Sequence, residues 1–171
     1  MRIIYNRVAL IGLGLIASSM ALAMRDAGLA GEIVGTSRSP ETRETAVRLG
    51  LCDRITNTAE EAVAGADLVI LAIPVGAMGP VAAEIAPHLS EGATVTDVGS
   101  VQRAVIEAVT PHMPDHAHFI AGHPLAGTEH SGPEAGFASL FRNRWTILTP
   151  VGEGEAALGR LRDLWESMGA N

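Results

Sequence analysis

Residues 8–17 constrain the fold of this chain more than any other stretch. Residues 8–11 are wholly apolar, as expected of a short strand that is buried on both faces. Gly12 and Gly14 interrupt this run, and the stretch that follows is rich in Ala, Leu and Met, which favours a helix. The spacing is Gly-x-Gly-x-x-Ala, with Ala17 at the last position. The pattern therefore predicts a buried strand, a tight glycine turn and a helix, in that order.

A turn of this kind has the properties of a dinucleotide-binding fingerprint. Gly12 permits the tight turn, and Gly14 lets the backbone approach a pyrophosphate with no Cβ in between. Ala17 lets the helix pack closely on its strand. The first helical residues, Leu15 and Ile16, provide free N–H groups and a positive dipole end for phosphates. Two other interpretations stay open at this point: a glycine turn without a ligand, and a secretory signal, which the glycines inside the apolar run disfavour.

The length and composition restrict the class of protein. With 171 residues the chain fits one domain, so residues 1–171 are predicted to form a single nucleotide-binding domain. The hydrophobic content of 47% against 18% charged residues indicates a globular chain with much buried strand. The net charge of −7 disfavours nucleic acid as a partner. Cys52 is the only cysteine, which predicts a reducing, cytoplasmic location, and the later uncharged run 68–83 is too short for a membrane span.

Strands and helices alternate along the rest of the sequence. The further predicted strands cover residues 32–37, 67–73, 94–98, 118–121 and 145–149. The further predicted helices cover residues 40–49, a short segment after Thr58, and residues 78–88, 101–109 and 154–168. This alternation predicts an α/β protein with a Rossmann-type, doubly wound, mainly parallel sheet and helices on both of its faces.

The end of the second predicted strand bears on the choice of nucleotide. An Asp or Glu about twenty residues after the glycines would hold the free 2′-hydroxyl of NAD. This chain instead has Ser37, Arg38 and Ser39, a cation and two hydroxyls that suit a 2′-phosphate. The sequence therefore favours NADP over NAD, although Arg38 as a solvated loop residue would leave NAD acceptable. Ile73 and Pro74, where another predicted strand ends, are also expected to contact the cofactor.

Polar side chains follow the two next strands at the points where they end. Asp97 and Ser100 follow one strand, and open α/β sheets bind ligands at such carboxyl ends. Residues 121–132 follow the other strand, are too rich in Gly and Pro for a helix, and carry His123. Loops held by a rigid scaffold often carry catalytic groups. We therefore expect Asp97 to contact the cofactor and the other polar groups to face it.

Several motifs in this order resemble the prephenate/arogenate (cyclohexadienyl) dehydrogenases of tyrosine biosynthesis. They are Gly-Leu-Gly-Leu-Ile-Ala-Ser-Ser at 12–19, Thr-Asp-Val-Gly-Ser-Val at 96–101, Gly-His-Pro-Leu-Ala-Gly-Thr-Glu at 122–129, and residues 137–150. The third motif is far more specific than the glycine fingerprint. The resemblance implies an oxidoreductase that uses NAD(P) to convert prephenate to 4-hydroxyphenylpyruvate, or arogenate to tyrosine, with loss of CO₂.

The resemblance also implies roles for four residues. His123 would be the catalytic histidine, Ser100 would orient it beside the nicotinamide, and Thr128 and Glu129 would line the substrate side. Residue chemistry agrees for His123, because a neutral imidazole can take the proton of a cyclohexadienol hydroxyl as hydride leaves. Structural alternatives stay open: a buried, hydrogen-bonded histidine, a helix N-cap at Ser100 and a surface ion pair at Glu129.

The sequence predicts no metal site, because prolines break the spacing of His112, His116 and His118. Members of the resembled family carry a helical domain after the nucleotide-binding domain, which dimerises the protein and supplies an arginine for a substrate carboxylate. That domain is absent from this chain, so the complete protein is expected to be a homodimer and the 171-residue chain alone a poor catalyst. Two rival functions remain: a nucleotide sensor without catalysis, and another β-hydroxyacid or imine dehydrogenase.

Overall fold

A computed structural model of the chain describes residues 3–128, 130–152 and 154–171. The described strands are β1 (Tyr5–Ile11), β2 (Ala30–Thr36), β3 (Arg54–Thr56), β4 (Leu68–Leu71), β5 (Thr94–Asp97), β6 (His118–Pro124) and β7 (Thr146–Val151). The described α-helices are α1 (Leu15–Ala27), α2 (Pro40–Leu49), α3 (Ala59–Val63), α4 (Val75–Ile85), α5 (Gln102–Val109) and α6 (Glu155–Ser167). Short 3₁₀ turns cover Ala86–His88, Thr110–His112 and Pro133–Ala135.

The strands form one sheet in the order β3-β2-β1-β4-β5-β6-β7. Neighbouring strands are parallel except for the last pair, β6 and β7, which is antiparallel. The predicted doubly wound, mainly parallel fold is confirmed. The chain moves outward from β1 to β3 and then returns to place β4 on the other side of β1. The crevice at the carboxyl ends of β1 and β4 is thus the position where such sheets bind ligands.

The sheet lies between two apolar cores, one on each face. One face packs against α1 and α6, with Met20, Met24 and Trp165 buried in it. The other face packs against α3, α4 and α5, with Met78 and Val105 buried in it. Strand residues alternate between the two cores, which explains why the central strands read as continuous apolar runs. The sheet is therefore a rigid support for whatever its carboxyl edge carries.

Local sequence signals explain the helix bounds that were predicted best. α2 begins after Ser39, whose hydroxyl accepts a hydrogen bond from the Thr42 N–H at 3.2 Å, and it ends at Gly50, whose φ is +63°. α3 is capped by Thr58, which accepts from the Glu61 N–H at 3.2 Å. These are the expected capping chemistries of Ser, Thr and Gly.

The largest differences from the predictions concern four elements, of which β1 begins at Tyr5 rather than at residue 8. β6 extends to Pro124 rather than ending at residue 121, because the antiparallel partner β7 continues to pair with it after β5 has ended. α4 begins at Val75 rather than at residue 78, so tertiary packing overrides three residues that disfavour helices: Gly76, Gly79 and Pro80. The three-residue edge strand β3 was not predicted. Within the described residues, every helix is too short or too polar to cross a membrane.

Candidate active site and cofactor cleft

The glycine turn joins β1 to α1 at the centre of the sheet edge. Gly12 has φ +98°, and a Cβ there would collide with the carbonyl oxygen of Ala72 at the end of β4, so only glycine fits. A Cβ on Gly14, in contrast, would meet no described protein atom within 4 Å. Gly14 caps α1 without a side-chain hydrogen bond, and the first turn of the helix carries no acid. The start of α1 thus has open space at Gly14 and no side-chain cap on its free N–H groups, as an anion-binding turn requires.

A cleft of about 540 Å³ opens beside this turn. Seven of the residues that the sequence assigned to the cofactor line it: Gly12, Gly14, Ser37, Arg38, Ser39, Ile73 and Pro74. Leu15, Ile16 and Asp97 are not among its lining residues. The cleft thus runs from the glycine turn to the end of β2, and its size suits the phosphates and adenosine of a dinucleotide.

Sequence reasoning missed several lining residues because they come from separate elements. They include Thr42, Asn57, Thr58, Ala77, Val81, Glu84, Gly132 and Pro133. The sequence at Thr58 predicted the start of a short helix but no contact with a ligand. Gly132 and Pro133 belong to the segment after β6, which folds back over α1, where the Phe137 N–H donates to the Ser19 hydroxyl at 3.1 Å. No sequence pattern indicated that contact.

The end of the cleft at Arg38 combines a cation, hydroxyls and a carboxyl group. The Ser39 and Ser37 hydroxyl oxygens accept from backbone N–H groups at 3.2 and 3.3 Å, which leaves both O–H groups free to donate. Glu84 lines the same cleft, and the positive charge of Arg38 acts on it. A hydrogen bond between the Glu60 and Glu84 carboxyls raises the pKa of Glu84 and lowers that of Glu60.

A second group of polar residues lies further along the same edge of the sheet. His123 is half-buried and stands on β6 itself, not on a loop as expected, with Ile147 of β7 as its paired residue. Ser100 is exposed in the turn between β5 and α5. It does not cap the helix, since the cap position is Val101 and no side-chain cap bond forms. The Ser100 hydroxyl is thus available to a ligand.

One carboxylate connects the chain segments that carry these two residues. Asp97 ends β5, is 1% exposed, and accepts hydrogen bonds from the backbone N–H groups of Gly99 at 2.8 Å and Gly122 at 3.0 Å. These glycines immediately precede Ser100 and His123. Burial raises the pKa of the Asp97 carboxyl, while the two backbone donors and the charge of His123 oppose that rise.

The remaining predicted site residues give less information. Thr128 is exposed, and its hydroxyl accepts from the His130 N–H at 3.1 Å. Glu129 lies outside the described residues. His116 contacts the carbonyl oxygen of Leu89 through its Nε2 at 3.0 Å, a structural contact. Among the described residues, no three His, Cys, Asp or Glu side chains are grouped as a metal site would require.

Comparisons with known proteins identify the family. A family model described as "Prephenate dehydrogenase, nucleotide-binding domain" matches residues 20–171. Cyclohexadienyl dehydrogenase of Zymomonas mobilis is 41% identical over 167 residues, which cover 97% of this chain and 57% of that protein.

Two crystal structures also match this fold. Prephenate dehydrogenase from Aquifex aeolicus, in complex with hydroxyphenyl propionate and NAD+, has a TM-score of 0.87 and 33% identity over 97% of this chain and 58% of that one. Arogenate dehydrogenase from Synechocystis has a TM-score of 0.87 and 33% identity, covering 96% and 58%. This chain therefore spans less than two thirds of the length of these relatives. It belongs to the prephenate dehydrogenase family and comprises the nucleotide-binding domain of that family.

Proposed function

We propose that this chain binds NAD(P) in the central cleft and supplies the base for oxidative decarboxylation of prephenate or arogenate. The products are 4-hydroxyphenylpyruvate or tyrosine. The main support is the arrangement of the carboxyl edge of the sheet, where Ser100 follows β5 and His123 lies near the carboxyl end of β6, at the same edge as the glycine turn after β1. The Aquifex relative, at 33% identity, was crystallised with NAD+ and hydroxyphenyl propionate, an aromatic acid of the product class.

The chemistry asks little of the protein beyond placement and one base. A bound NAD(P) would supply the hydride acceptor for C4 of the cyclohexadienol ring. His123 takes the proton of the 4-hydroxyl, so that the oxygen becomes a ketone. The C–C bond to the ring carboxylate then breaks and CO₂ leaves. The electron pair of that bond makes the ring aromatic, and the ketone oxygen takes up a proton to become the phenol hydroxyl of the product. Ser100 orients the imidazole with a neutral hydroxyl, and Thr128 and Glu129 contact the substrate.

The residues that are present fit a dinucleotide. Gly14 leaves room next to the N–H groups of α1, and the cleft continues from there to Arg38. We further propose a preference for NADP, with NAD also accepted. Arg38 would pair with the 2′-phosphate, and the Ser37 and Ser39 hydroxyls would donate to it. Glu84 opposes this preference, because its carboxylate partly neutralises Arg38.

A pair of substitutions tests the cofactor preference. Arg38→Ala should raise the KM or Kd for NADP by about tenfold and leave NAD nearly unchanged, since a charge-assisted contact is lost only with NADP. Glu84→Gln is the opposite control: it should strengthen NADP binding and leave NAD unchanged. Equal effects of Arg38→Ala on both cofactors would refute the preference for NADP without affecting the dehydrogenase proposal.

The activity is tested on the natural gene product, whatever its length, with prephenate, arogenate and 3-hydroxyisobutyrate as substrates. Reduction of the nicotinamide with prephenate or arogenate supports the proposal. Turnover of 3-hydroxyisobutyrate instead, or cofactor binding without any turnover, favours the rival dehydrogenase or the sensor. We expect the 171-residue chain alone to bind cofactor and turn over poorly, and the complete enzyme to be a cytoplasmic homodimer.

A further inference from the structure

The two serines of the motif at 12–19 have no part in the proposed chemistry. Ser18 and Ser19 lie one helical turn after the start of α1, and both are fully buried among the apolar side chains that pack this helix on the sheet. Serine favours a helix less than alanine does, and a buried hydroxyl costs free energy unless it is hydrogen-bonded. The partners of these two hydroxyls therefore indicate what the serines hold in place.

Each hydroxyl bonds a different segment of the chain. The Ser18 hydroxyl donates to the carbonyl oxygen of Leu13, inside the glycine turn, at 3.2 Å. The Ser19 hydroxyl accepts a hydrogen bond from the N–H group of Phe137 at 3.1 Å. Phe137 is the last residue of a segment after β6 that we call the strap, residues 132–137. Two consecutive serines of α1 therefore join the glycine turn to the strap.

The strap forms a wall of the cofactor cleft beside the glycine turn. Gly132 and Pro133 line the same cleft as the glycines of that turn. The short 3₁₀ turn of the strap packs on both α1 and α2. Because the bond to Ser19 lies only one helical turn from the start of α1, this wall stands at the end of the cleft where the free N–H groups of α1 would hold phosphates.

Close packing holds the strap on α1 as well. A Cβ on Gly136 would lie 2.7 Å from the Cβ of Ser18 and 3.1 Å from the backbone nitrogen of Ser19. Gly136 has φ −66°, which any residue adopts, so the contact with α1 and not the backbone conformation requires glycine here. Just after the strap, Phe141 is buried against Trp165, with the ring centroids 5.1 Å apart. The strap is thus fixed to α1 in its middle and anchored in the core where it ends.

We propose that Ser19 is a positioning residue for the cofactor: it holds the strap on α1, so that the strap is a preformed wall for the diphosphate. This role rests on the proposed binding of NAD(P) in the cleft. A wall that is in place before the ligand arrives costs no ordering free energy on binding. A strap released from α1 lowers the apparent affinity in proportion to the fraction of molecules that still have it in place. The diphosphate is common to both cofactors, so NAD and NADP are affected equally.

Equilibrium binding of NAD+ and NADP+ to the 171-residue chain tests this role. Ser19→Ala should raise both dissociation constants by a similar factor of about three- to tenfold, since one hydrogen bond to the strap is lost. Glu134→Gln is the matched control on the strap itself. It removes only the exposed ion pair with Arg48 at 3.7 Å, and it should leave both constants within about twofold of wild type.

Amide hydrogen exchange in wild-type protein provides a second measurement, which holds even if Ser19→Ala fails to fold. Saturating NAD+ should slow exchange of the Phe137 N–H several-fold, because a cofactor in the cleft restrains the strap. The control is the Gly92 N–H, which donates to the His116 carbonyl oxygen at 2.7 Å at the amino end of the sheet. Its exchange should change much less than that of Phe137.

In the active gene product, Ser19→Ala should raise the KM for the cofactor and keep kcat at saturating cofactor within about twofold of wild type. A loss confined to kcat would contradict the positioning role. Unchanged binding of both cofactors by folded Ser19→Ala, an effect on NADP+ alone, or Phe137 exchange that does not respond to NAD+ would overturn it and leave the proposed function standing. Weaker binding by the variant of a gene product that shows no turnover would support the role of Ser19 and reject the dehydrogenase. A wild-type chain that binds neither cofactor would reject both.

Discussion

Asp67 and Asp97 perform the same structural task at opposite ends of the sheet, and the difference between them separates folding from chemistry. Each carboxylate accepts two backbone N–H groups and joins neighbouring chain segments. Asp67 also pairs with Arg160 at 2.9 Å, and that guanidinium lies 4.2 Å from the Tyr5 ring centroid. Asp97 has no such guanidinium among the described residues, and the charge acting on it is that of His123.

The salt bridge with Arg160 limits Asp67 to a structural role. With Arg160 in place, the negative charge of Asp67 is already balanced, so that it only holds β1, β4 and α6 together. A buried carboxylate without a permanent cation carries a desolvation penalty. At the carboxyl end of the sheet that penalty is opposed by the backbone N–H groups of Gly122 and Gly99 and by the charge of His123. At the amino end of the sheet a permanent cation therefore balances the carboxylate, whereas at the carboxyl end the free energy of folding depends on protonation.

The largest expected effect comes from the two histidines of β6, which occupy opposite ends of one strand. His123→Asn should lower turnover of the gene product by about 10²- to 10⁴-fold, the range for loss of a general base, with cofactor affinity kept. His118→Asn, at the amino end, should leave turnover within about twofold, since it is remote from the cleft. Steady-state rates and cofactor titration check both. Comparable losses of turnover in the two variants would show that the catalytic role is not restricted to the carboxyl end of the sheet.

Two glycines provide the next comparison. A Cβ on Gly122 would lie 2.5 Å from the Asp97 carbonyl oxygen, and a Cβ on Gly31 would lie 2.6 Å from the Asn6 carbonyl oxygen. Gly122→Ala and Gly31→Ala should therefore each lower the free energy of unfolding by about 1–3 kcal/mol, since both force backbone apart. Only Gly122→Ala should also lower turnover of the gene product, since Gly122 immediately precedes His123. Urea denaturation and steady-state rates measure the two effects, and a comparable loss of turnover in Gly31→Ala would contradict the comparison.

Local signals predicted the parts of the fold that depend on neighbouring residues. The Ser39-Pro40 start of α2 and its end at Leu49 agree with the prediction, because capping is decided within one turn. The glycine turn was predicted for the same reason. The extension of β6 to Pro124 was not, because it depends on β7, which lies more than twenty residues later in the sequence.

The candidate site shows the same division. Residues next to a recognisable turn, such as Gly12 and Arg38, line the cleft, whereas Glu84 also lines it but comes from a helix face with no local sign of a ligand. Asp97 was selected because polar residues at strand ends often contact ligands. Its actual partners, two glycine amides, become visible only when β5 and β6 lie side by side. Sequence can thus identify a polar group at an edge more easily than it can identify what that group binds.

The smallest expected effect is on the pH dependence of stability. Burial raises the pKa of Asp97 above its ordinary value of 3.8, so the folded protein binds a proton that the unfolded chain has lost. The free energy of unfolding contributed by this group must then fall as pH rises from about that ordinary value through the raised one. Wild type should lose stability relative to Asp97→Asn over this window, as urea denaturation at a series of pH values would measure.

The same experiment in a His123→Asn background sharpens the comparison between the two ends of the sheet. The imidazolium lowers the pKa of Asp97, so its removal should extend the window of falling stability to higher pH. Adding His118→Asn instead should leave the window where it is in wild type. A window that does not respond to His123 would mean that the two backbone N–H groups alone set the energy of the Asp97 carboxylate. The charge of Asp97 would then be compensated without His123, just as Arg160 balances the charge of Asp67 at the amino end.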